Sequence, residues 1–270
     1  MIEKIHVGDL APAPDARVAF FDFDGTLSTI RSGWVDVMVP MMVEILVELK
    51  TGESEAELTE IVKEFVWRLT GKETIYQMME FAGQVSQRGG VAKQPLEYKK
   101  QYLDLLWDKI RDRVEDLQQG RVPPEHYLVP GAIGLLDRLR DRGLKMYLAS
   151  GTDHDAMSAE ARLLGVTPYF NGGVYGAQDD LTSFSKKILV HRILAGADVA
   201  GPQIIGFGDG YVEIEEVKLV GGVAVGVATT EPACLAVDPW KRERLIKVGA
   251  DFIVPNFKHS AELIGMLFEG

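Results

Sequence analysis

The sequence predicts an α/β fold in which a doubly wound parallel sheet carries an inserted all-helical domain. Two observations indicate this fold. Short apolar segments alternate with helical segments through the second half of the chain, which is typical of a parallel sheet flanked by helices. Between the first strand and the second, about a hundred residues of helical pattern replace the usual single crossover helix.

The predicted strands are apolar runs that end at glycine or at small polar residues. The first begins at Val18 and is followed by two aspartates. The later strands are expected at 144–149, 204–207, 223–227 and 252–254. Helices are expected after Pro130-Gly131, at 186–194 and at 241–248, so that strands and helices alternate.

The insert contains four helical patterns, at 34–49, 55–69, 74–87 and 96–117, with glycines between them. We expect Pro40 to kink or split the first helix, because proline removes a backbone donor. The sequence therefore predicts an α/β core domain made of residues 1–29 and 128–270, and a helical cap domain made of residues 30–127.

Two acids follow the first strand in the segment Phe21-Asp22-Phe23-Asp24-Gly25. Residues two apart lie on one face of a strand, and a glycine allows a sharp turn, so both carboxylates should emerge at the carboxyl edge of the sheet. Open parallel sheets bind their ligands at this edge. Two carboxylates this close repel unless a cation lies nearby, and a divalent ion with oxygen ligands would neutralise them. By itself this pattern is compatible both with phosphate chemistry and with a solvated turn, in which most Asp-Gly pairs are found.

The same pattern recurs at two later strands. One runs into Ser150-Gly151-Thr152 and the other into Gly208-Asp209-Gly210. Three strand ends that meet at one edge would bring a hydroxyl, backbone amides and further acids to the same point.

This order of motifs resembles the haloacid dehalogenase-like (HAD) hydrolase superfamily, in its phosphatase-type members with an inserted helical cap. The resemblance implies a Rossmann-like core and assigns a role to each motif. Asp22 matches the nucleophile, and Asp24 matches the general acid/base. Ser150, with the amide of Gly151, matches the phosphate-binding motif. Lys186 matches the conserved basic residue, with Lys187 as its adjacent alternative.

Asp209 matches the metal-binding acid of the last motif, which departs from the family pattern at its end. The family usually has aspartate where this chain has Glu213. Glutamate keeps the charge but is longer by one methylene, so it would reach an ion directly, through water or from a shifted backbone.

The resemblance implies a Mg²⁺-dependent phosphatase that works through an aspartyl-phosphate on Asp22. The Mg²⁺ site would comprise Asp22, the backbone carbonyl of Asp24, Asp209 and Glu213. Thr26 would either orient the first loop or cap the next helix. The expected substrate is a small phosphorylated metabolite, with a sugar phosphate favoured.

The composition agrees with a cytoplasmic enzyme. A formal charge of −11 argues against nucleic acid or an anionic membrane as a main partner. The single cysteine excludes an internal disulfide, and no apolar run is long enough to span a bilayer. The sequence leaves the oligomeric state open.

Two other functions use similar residues. A phosphomutase would share the whole apparatus and differ only in protecting the aspartyl-phosphate from water. A non-enzymatic phospho-accepting receiver also clusters acids, a hydroxyl residue and a lysine at strand ends, but it needs neither the second acid nor an insert of this length.

Overall fold

The computed structural model describes residues 1–5, 12–178, 185–196 and 199–269. It divides into two compact units. The first unit comprises Met1–Ser32 and Val114–Gly270, and the second comprises Gly33–Arg113. The assignment of residues 30–127 as a cap domain stays a prediction.

The first unit is built on a seven-stranded sheet with the strand order β1-β7-β6-β5-β2-β3-β4. The strands are β1 (Glu3–Lys4), β2 (Val18–Phe21), β3 (Lys145–Asp153), β4 (Gly173–Ala177), β5 (Ile204–Gly208), β6 (Val223–Val227) and β7 (Phe252–Val254). The pairing is parallel except between β1 and β7. The predicted α/β class with a mainly parallel sheet is confirmed.

The sequence did not predict the strands at the two edges. β1 is two residues long, which is too short to show a period, and it pairs antiparallel with β7. β4 contains two glycines among its five residues, so its apolar content is low. Both extend a sheet whose central strands are marked by buried apolar runs.

The helices of the described residues are α1 (Val35–Glu48), α2 (Glu55–Arg68), α3 (Thr74–Gln87), α4 (Pro95–Gln118), α5 (Ala132–Asp141), α6 (His154–Leu163), α7 (Lys186–Gly196), α8 (Tyr211–Leu219), α9 (Pro239–Lys247) and α10 (Ser260–Phe268). In the first unit, α6 packs on β3 and β4, α8 packs on β5 and β6, and α9 packs on β6 and β7. No helix of the described ranges combines the length and the apolar character needed to cross a membrane.

The second unit consists of α1, α2, α3 and most of α4. The predicted helices at 55–69 and 74–87 agree with α2 and α3 to within one residue. Ser54 and Glu57 form a reciprocal capping box at the start of α2, which satisfies two backbone donors. Pro40 lies inside α1, and this helix is not split there.

β2 lies at the centre of the sheet, between β3 and β5. Its side chains are buried on both faces, as expected for a strand covered by helices on each side. Phe20 faces a cluster that includes residues of α7 and α8. Phe21 faces the other way, pairs in register with Phe207 of β5, and stacks on that ring with a centroid distance of 4.4 Å. The strand register fixes where the residues after β2 and β5 emerge.

We expect Phe207→Ala to lower the free energy of unfolding by about 3–5 kcal/mol, because it leaves a cavity beside Phe21 in a closely packed core. Urea denaturation followed by circular dichroism would measure the change. Leu235, which is 68% exposed, provides the control, and Leu235→Ala should change the free energy by about 0.5 kcal/mol at most. Equal effects of the two substitutions would contradict this account of the core.

Candidate active site

The residues selected from the sequence converge at the carboxyl edge of the three central strands. Asp22 follows β2, and Asp209 follows β5. The predicted strand at 144–149 is longer in the structure, so that Ser150 and Gly151 lie within β3. Lys186 and Glu213 come from the first turns of α7 and α8. Residues 179–184, including Phe184 in the polar turn predicted before Lys186, lie outside the described residues.

Lys186 joins two carboxylates at the centre of the site. Its Nζ donates to Oδ1 of Asp22 at 2.7 Å and to Oε2 of Glu213 at 2.8 Å. The three side chains are buried, whereas the neighbouring Lys187 is exposed. Of the two adjacent lysines, Lys186 is therefore the one at the site.

The electrostatic environment shifts both partners of this ion pair. Burial raises the pKa of the Asp22 carboxyl well above its ordinary value, and Lys186 acts against that shift. The nearby acids Glu213 and Asp209 raise the pKa of Asp22 further. Burial by itself would lower the pKa of Lys186, but its two carboxylate partners raise it above the ordinary lysine value. Lys186 is therefore a permanent cation in the site.

Asp22, Asp209 and Glu213 each offer a carboxylate oxygen, and these oxygens lie within 4.8 Å of one another. Carboxylate oxygens are hard ligands of the kind that Mg²⁺ prefers. The donor set thus fits a divalent ion. Glu213 also accepts a hydrogen bond from the amide of Gly210 at 2.6 Å, which fixes the longer side chain at the start of α8.

Two close contacts place Asp209 against the loop that follows β2. Its amide donates to Oγ1 of Thr26 at 3.0 Å, so Thr26 links the loops that follow β2 and β5. Gly25 has a φ of 73°, and a Cβ atom on it would lie 2.2 Å from Oδ2 of Asp209. Only glycine allows the Asp209 carboxylate to come this close to the turn.

Asp24 is held by two hydroxyl groups of β3. Ser150 and Thr152 each donate to its Oδ2 at 2.9 Å. The other oxygen, Oδ1, is buried without a hydrogen-bond partner, and Nε of Arg31 lies 3.8 Å from it. One oxygen of Asp24 is thus held by two hydroxyl groups, and the other lies near the Arg31 guanidinium.

Ser150 was expected to bind phosphate, but in this structure its hydroxyl donates to Asp24. Its Oγ also accepts a hydrogen bond from the amide of Thr152 at 3.0 Å. Gly151, between them, is partly exposed. Thr152 is not among the predicted site residues, although it follows Ser150 by two residues and so shares its face of the strand.

Sequence reasoning also missed a second lysine at the site. Nζ of Lys241, from the first turn of α9, donates to Oδ2 of Asp209 and to Oε1 of Glu231, both at 2.8 Å. Glu231 in turn accepts a hydrogen bond from the Ser32 hydroxyl at 2.7 Å. Lys241 lies 32 residues after Asp209 in the chain, and no motif connects them.

A buried ion pair lies beside Asp24. Arg31 donates through Nε and Nη2 to Glu160 of α6, with distances of 3.1 Å and 2.7 Å to Oε1. Burial raises the pKa of Glu160 above its ordinary value, and Arg31 offsets part of that rise. This pair ties the segment after the first loop to the helix that follows the Ser150 motif.

Three solved structures illustrate the similarity of this chain to known proteins. A predicted phosphoglycolate phosphatase from Haemophilus somnus has 13% identity and a TM-score of 0.59, with 93% of this chain and 98% of that chain covered. A phosphonoacetaldehyde hydrolase-like protein from Oleispira antarctica has 16% identity and a TM-score of 0.59, with 99% of each chain covered. A putative β-phosphoglucomutase from Thermotoga maritima has 17% identity and a TM-score of 0.51, with 92% and 98% covered. At these identities, the neighbours share the fold.

The sequence itself matches a family model, whereas no curated protein matches it. This family model is that of the haloacid dehalogenase-like hydrolases, and it matches residues 16–221. This segment runs from before β2 to beyond α8 and contains all the residues that the sequence selected for the site. The chain belongs to the haloacid dehalogenase-like hydrolase family.

Proposed function

We propose that this hydrolase is a Mg²⁺-dependent phosphatase that cleaves a small phosphorylated metabolite through an aspartyl-phosphate on Asp22. The observation that carries the proposal is the buried cluster in which Lys186 joins Asp22 to Glu213, with a carboxylate oxygen of Asp209 within 4.8 Å of theirs. A nucleophilic carboxylate, a fixed cation and a set of hard oxygen donors are the groups that phosphoryl transfer to an aspartate requires.

Asp22 acts as the nucleophile in this proposal. Lys186 holds Oδ1, which leaves Oδ2 to attack phosphorus. The new bond from Oδ2 forms as the bond from phosphorus to the leaving oxygen breaks. The positive charge of Lys186 counteracts the effect of burial and favours the ionised carboxylate that this attack needs.

Asp22, Asp209 and Glu213 would hold the Mg²⁺. The ion would supply positive charge that offsets the repulsion between an anionic nucleophile and an anionic phosphoryl group. Glu213 already accepts hydrogen bonds from Lys186 and from the Gly210 amide, so its carboxylate is fixed in place before any ion binds.

Asp24 acts as the acid and then as the base. In the first step its carboxyl proton passes to the leaving oxygen. In the second step Asp24 takes a proton from the water that attacks the aspartyl-phosphate, and phosphate leaves with the Asp22 carboxylate restored. Because Ser150 and Thr152 hold Oδ2, we assign both proton transfers to Oδ1.

Ser150, Gly151 and Lys186 would bind the phosphoryl oxygens. The Ser150 hydroxyl has one proton, so it must turn from Asp24 to the phosphoryl group when substrate binds. Thr152 donates to the same oxygen of Asp24 and can keep this carboxyl in place during the change. The two hydroxyls thus have separate roles.

Among substrate classes, we favour a sugar phosphate. The cytoplasmic location of the protein stays a prediction. The names of two neighbours, a β-phosphoglucomutase and a phosphoglycolate phosphatase, indicate which small phosphate esters to include in an initial screen. A phosphomutase would use the same residues and is the alternative that this screen must distinguish.

We expect the purified protein to release phosphate from at least one small metabolite in a panel of hexose phosphates, pentose phosphates and phosphoglycolate, and to require Mg²⁺ for this reaction. Asp22→Asn should abolish release, because an amide is a poor nucleophile. A phosphate assay with and without Mg²⁺ would measure both effects.

Circular dichroism of Asp22→Asn provides the control for folding. Isomerisation of a hexose phosphate without phosphate release would favour the mutase. Full phosphatase activity of a folded Asp22→Asn would contradict its role as the nucleophile.

Asp24→Asn should separate the two chemical steps. With p-nitrophenyl phosphate, whose leaving group needs little protonation, we expect a burst of nitrophenol followed by turnover lowered by about 10²–10⁴-fold. The burst reports phosphorylation of Asp22, and the slow phase reports its hydrolysis without a base. Stopped-flow absorbance would measure both phases, and a rate equal to that of the wild type would remove Asp24 from the mechanism.

Lys186→Met should lower the free energy of unfolding by about 3–5 kcal/mol, because it leaves Asp22 and Glu213 as buried carboxylates without their cation. Lys187→Met is the matched control, since Lys187 is exposed and adjacent, and its effect should be about 0.5 kcal/mol or less. Urea denaturation would compare the two, and a larger effect at Lys187 would reverse our choice of lysine.

A further inference from the structure

Lys241 holds an unusual position, because its two carboxylate partners differ in role. Asp209 belongs to the cluster that would bind the divalent ion, and Glu231 lies outside that cluster. The Lys241 side chain is only 13% exposed. Its Nζ lies 2.8 Å from an oxygen of each carboxylate, so it forms an ion pair with both. Lys241 is therefore a fixed charge next to the proposed ion site.

The surroundings hold this arrangement in place. The amide of Lys241 donates to Asp238 at 2.9 Å, in the N-terminal cap of α9. The second oxygen of Glu231 accepts from Ser32. A Cβ atom on Gly25 would lie 2.2 Å from Oδ2 of Asp209 and 3.0 Å from Oε1 of Glu231, which are the two oxygens bound to Lys241. The turn at Gly25 thus brings both carboxylates to Lys241.

Charge counting shows what the second lysine does to the site. Asp22, Asp209, Glu213 and Glu231 contribute four negative charges when ionised, and Lys186 and Lys241 contribute two positive charges. The net charge of these six groups is then −2, which one divalent cation would neutralise. A cation bound to Asp209 and the ammonium group 2.8 Å from the same carboxylate would repel each other.

We propose that Lys241 is an internal cation that competes with the divalent ion for Asp209 and so lowers the affinity of the site for that ion. Glu231 is the partner that retains Lys241 when an ion takes Asp209. This inference rests on the proposed function, because it needs the ion site formed by Asp22, Asp209 and Glu213. A purely structural role for Lys241 predicts the opposite sign, since disordering Asp209 would weaken ion binding.

Binding of Mn²⁺ to the full-length protein without substrate tests the proposal. Electron paramagnetic resonance of free Mn²⁺ gives the dissociation constant directly. We expect Lys241→Met, which keeps most of the length of the side chain and removes its charge, to tighten binding by about tenfold. Lys247→Met, an exposed lysine in the last turn of the same helix, should leave the dissociation constant unchanged.

Glu231→Gln provides a second variant, and unchanged or tighter binding of Mn²⁺ by its folded form would overturn the proposal even if Lys241→Met does not fold. Of the two carboxylate partners of Lys241, this variant leaves only Asp209. Lys241 should then compete more strongly for Asp209, so the binding of Mn²⁺ should weaken. If this effect acts through Lys241, Glu231→Gln should weaken binding less when Lys241 is already methionine. Equal weakening in both backgrounds would overturn the proposed role of Glu231 as the retaining partner.

Unchanged or weaker binding by a folded Lys241→Met would overturn the proposal while leaving the phosphatase assignment intact. The variant Asp209→Asn distinguishes the two failures. If the wild type binds Mn²⁺ and Asp209→Asn does not, the ion site stands, and the result for Lys241→Met decides the competition alone. If the wild type and Asp209→Asn bind Mn²⁺ equally, the ion site and the inference both fail.

Discussion

Burial of several like charges at one end of a sheet is the constraint on which the rest of this site depends. Asp22 and Glu213 lose their hydration on folding, and each would be costly as an isolated ion. Lys186 compensates both with short hydrogen bonds, but a buried ion pair of this kind contributes little net stability. Close packing elsewhere in the core, for example between Phe21 and Phe207, offsets the free-energy cost of burying these charges. The buried charges of the site therefore depend on the stability that the apolar core provides.

Two glycines, Gly25 after β2 and Gly208 at the end of β5, allow acidic side chains to lie close to the backbone. At Gly208, a Cβ atom would lie 2.1 Å from Cγ of Glu213, just as one on Gly25 would collide with Asp209. Glutamate is longer than the aspartate usual in the family, and the missing side chain at residue 208 gives room for its stem. Its carboxylate can then reach both Lys186 and the Gly210 amide. The departure from the family motif is thus accommodated locally.

Hydrogen bonding divides the site into two halves with different chemistry. On one side, Lys186 and Lys241 bind carboxylates through charge. On the other side, the neutral hydroxyls of Ser150 and Thr152 hold one oxygen of Asp24, and Nε of Arg31 lies 3.8 Å from the other oxygen. Charged partners favour an ionised acid, which suits a nucleophile or an ion ligand, whereas hydroxyl partners adapt to either protonation state of a carboxyl that must give and take a proton.

The sequence by itself determined the fold class, the central strands and all four helices of the insert. It also selected the group Asp22, Asp24, Ser150, Lys186, Asp209 and Glu213, whose members the structure brings to one edge. Those residues follow strands or open helices, so periodicity and turn chemistry mark them locally. The tertiary structure alone decided between Lys186 and Lys187, gave Ser150 a bond to Asp24, and added Thr152, Glu231 and Lys241. Which side chains meet across strands and helices depends on register and packing between distant segments, and local sequence patterns carry no record of such contacts.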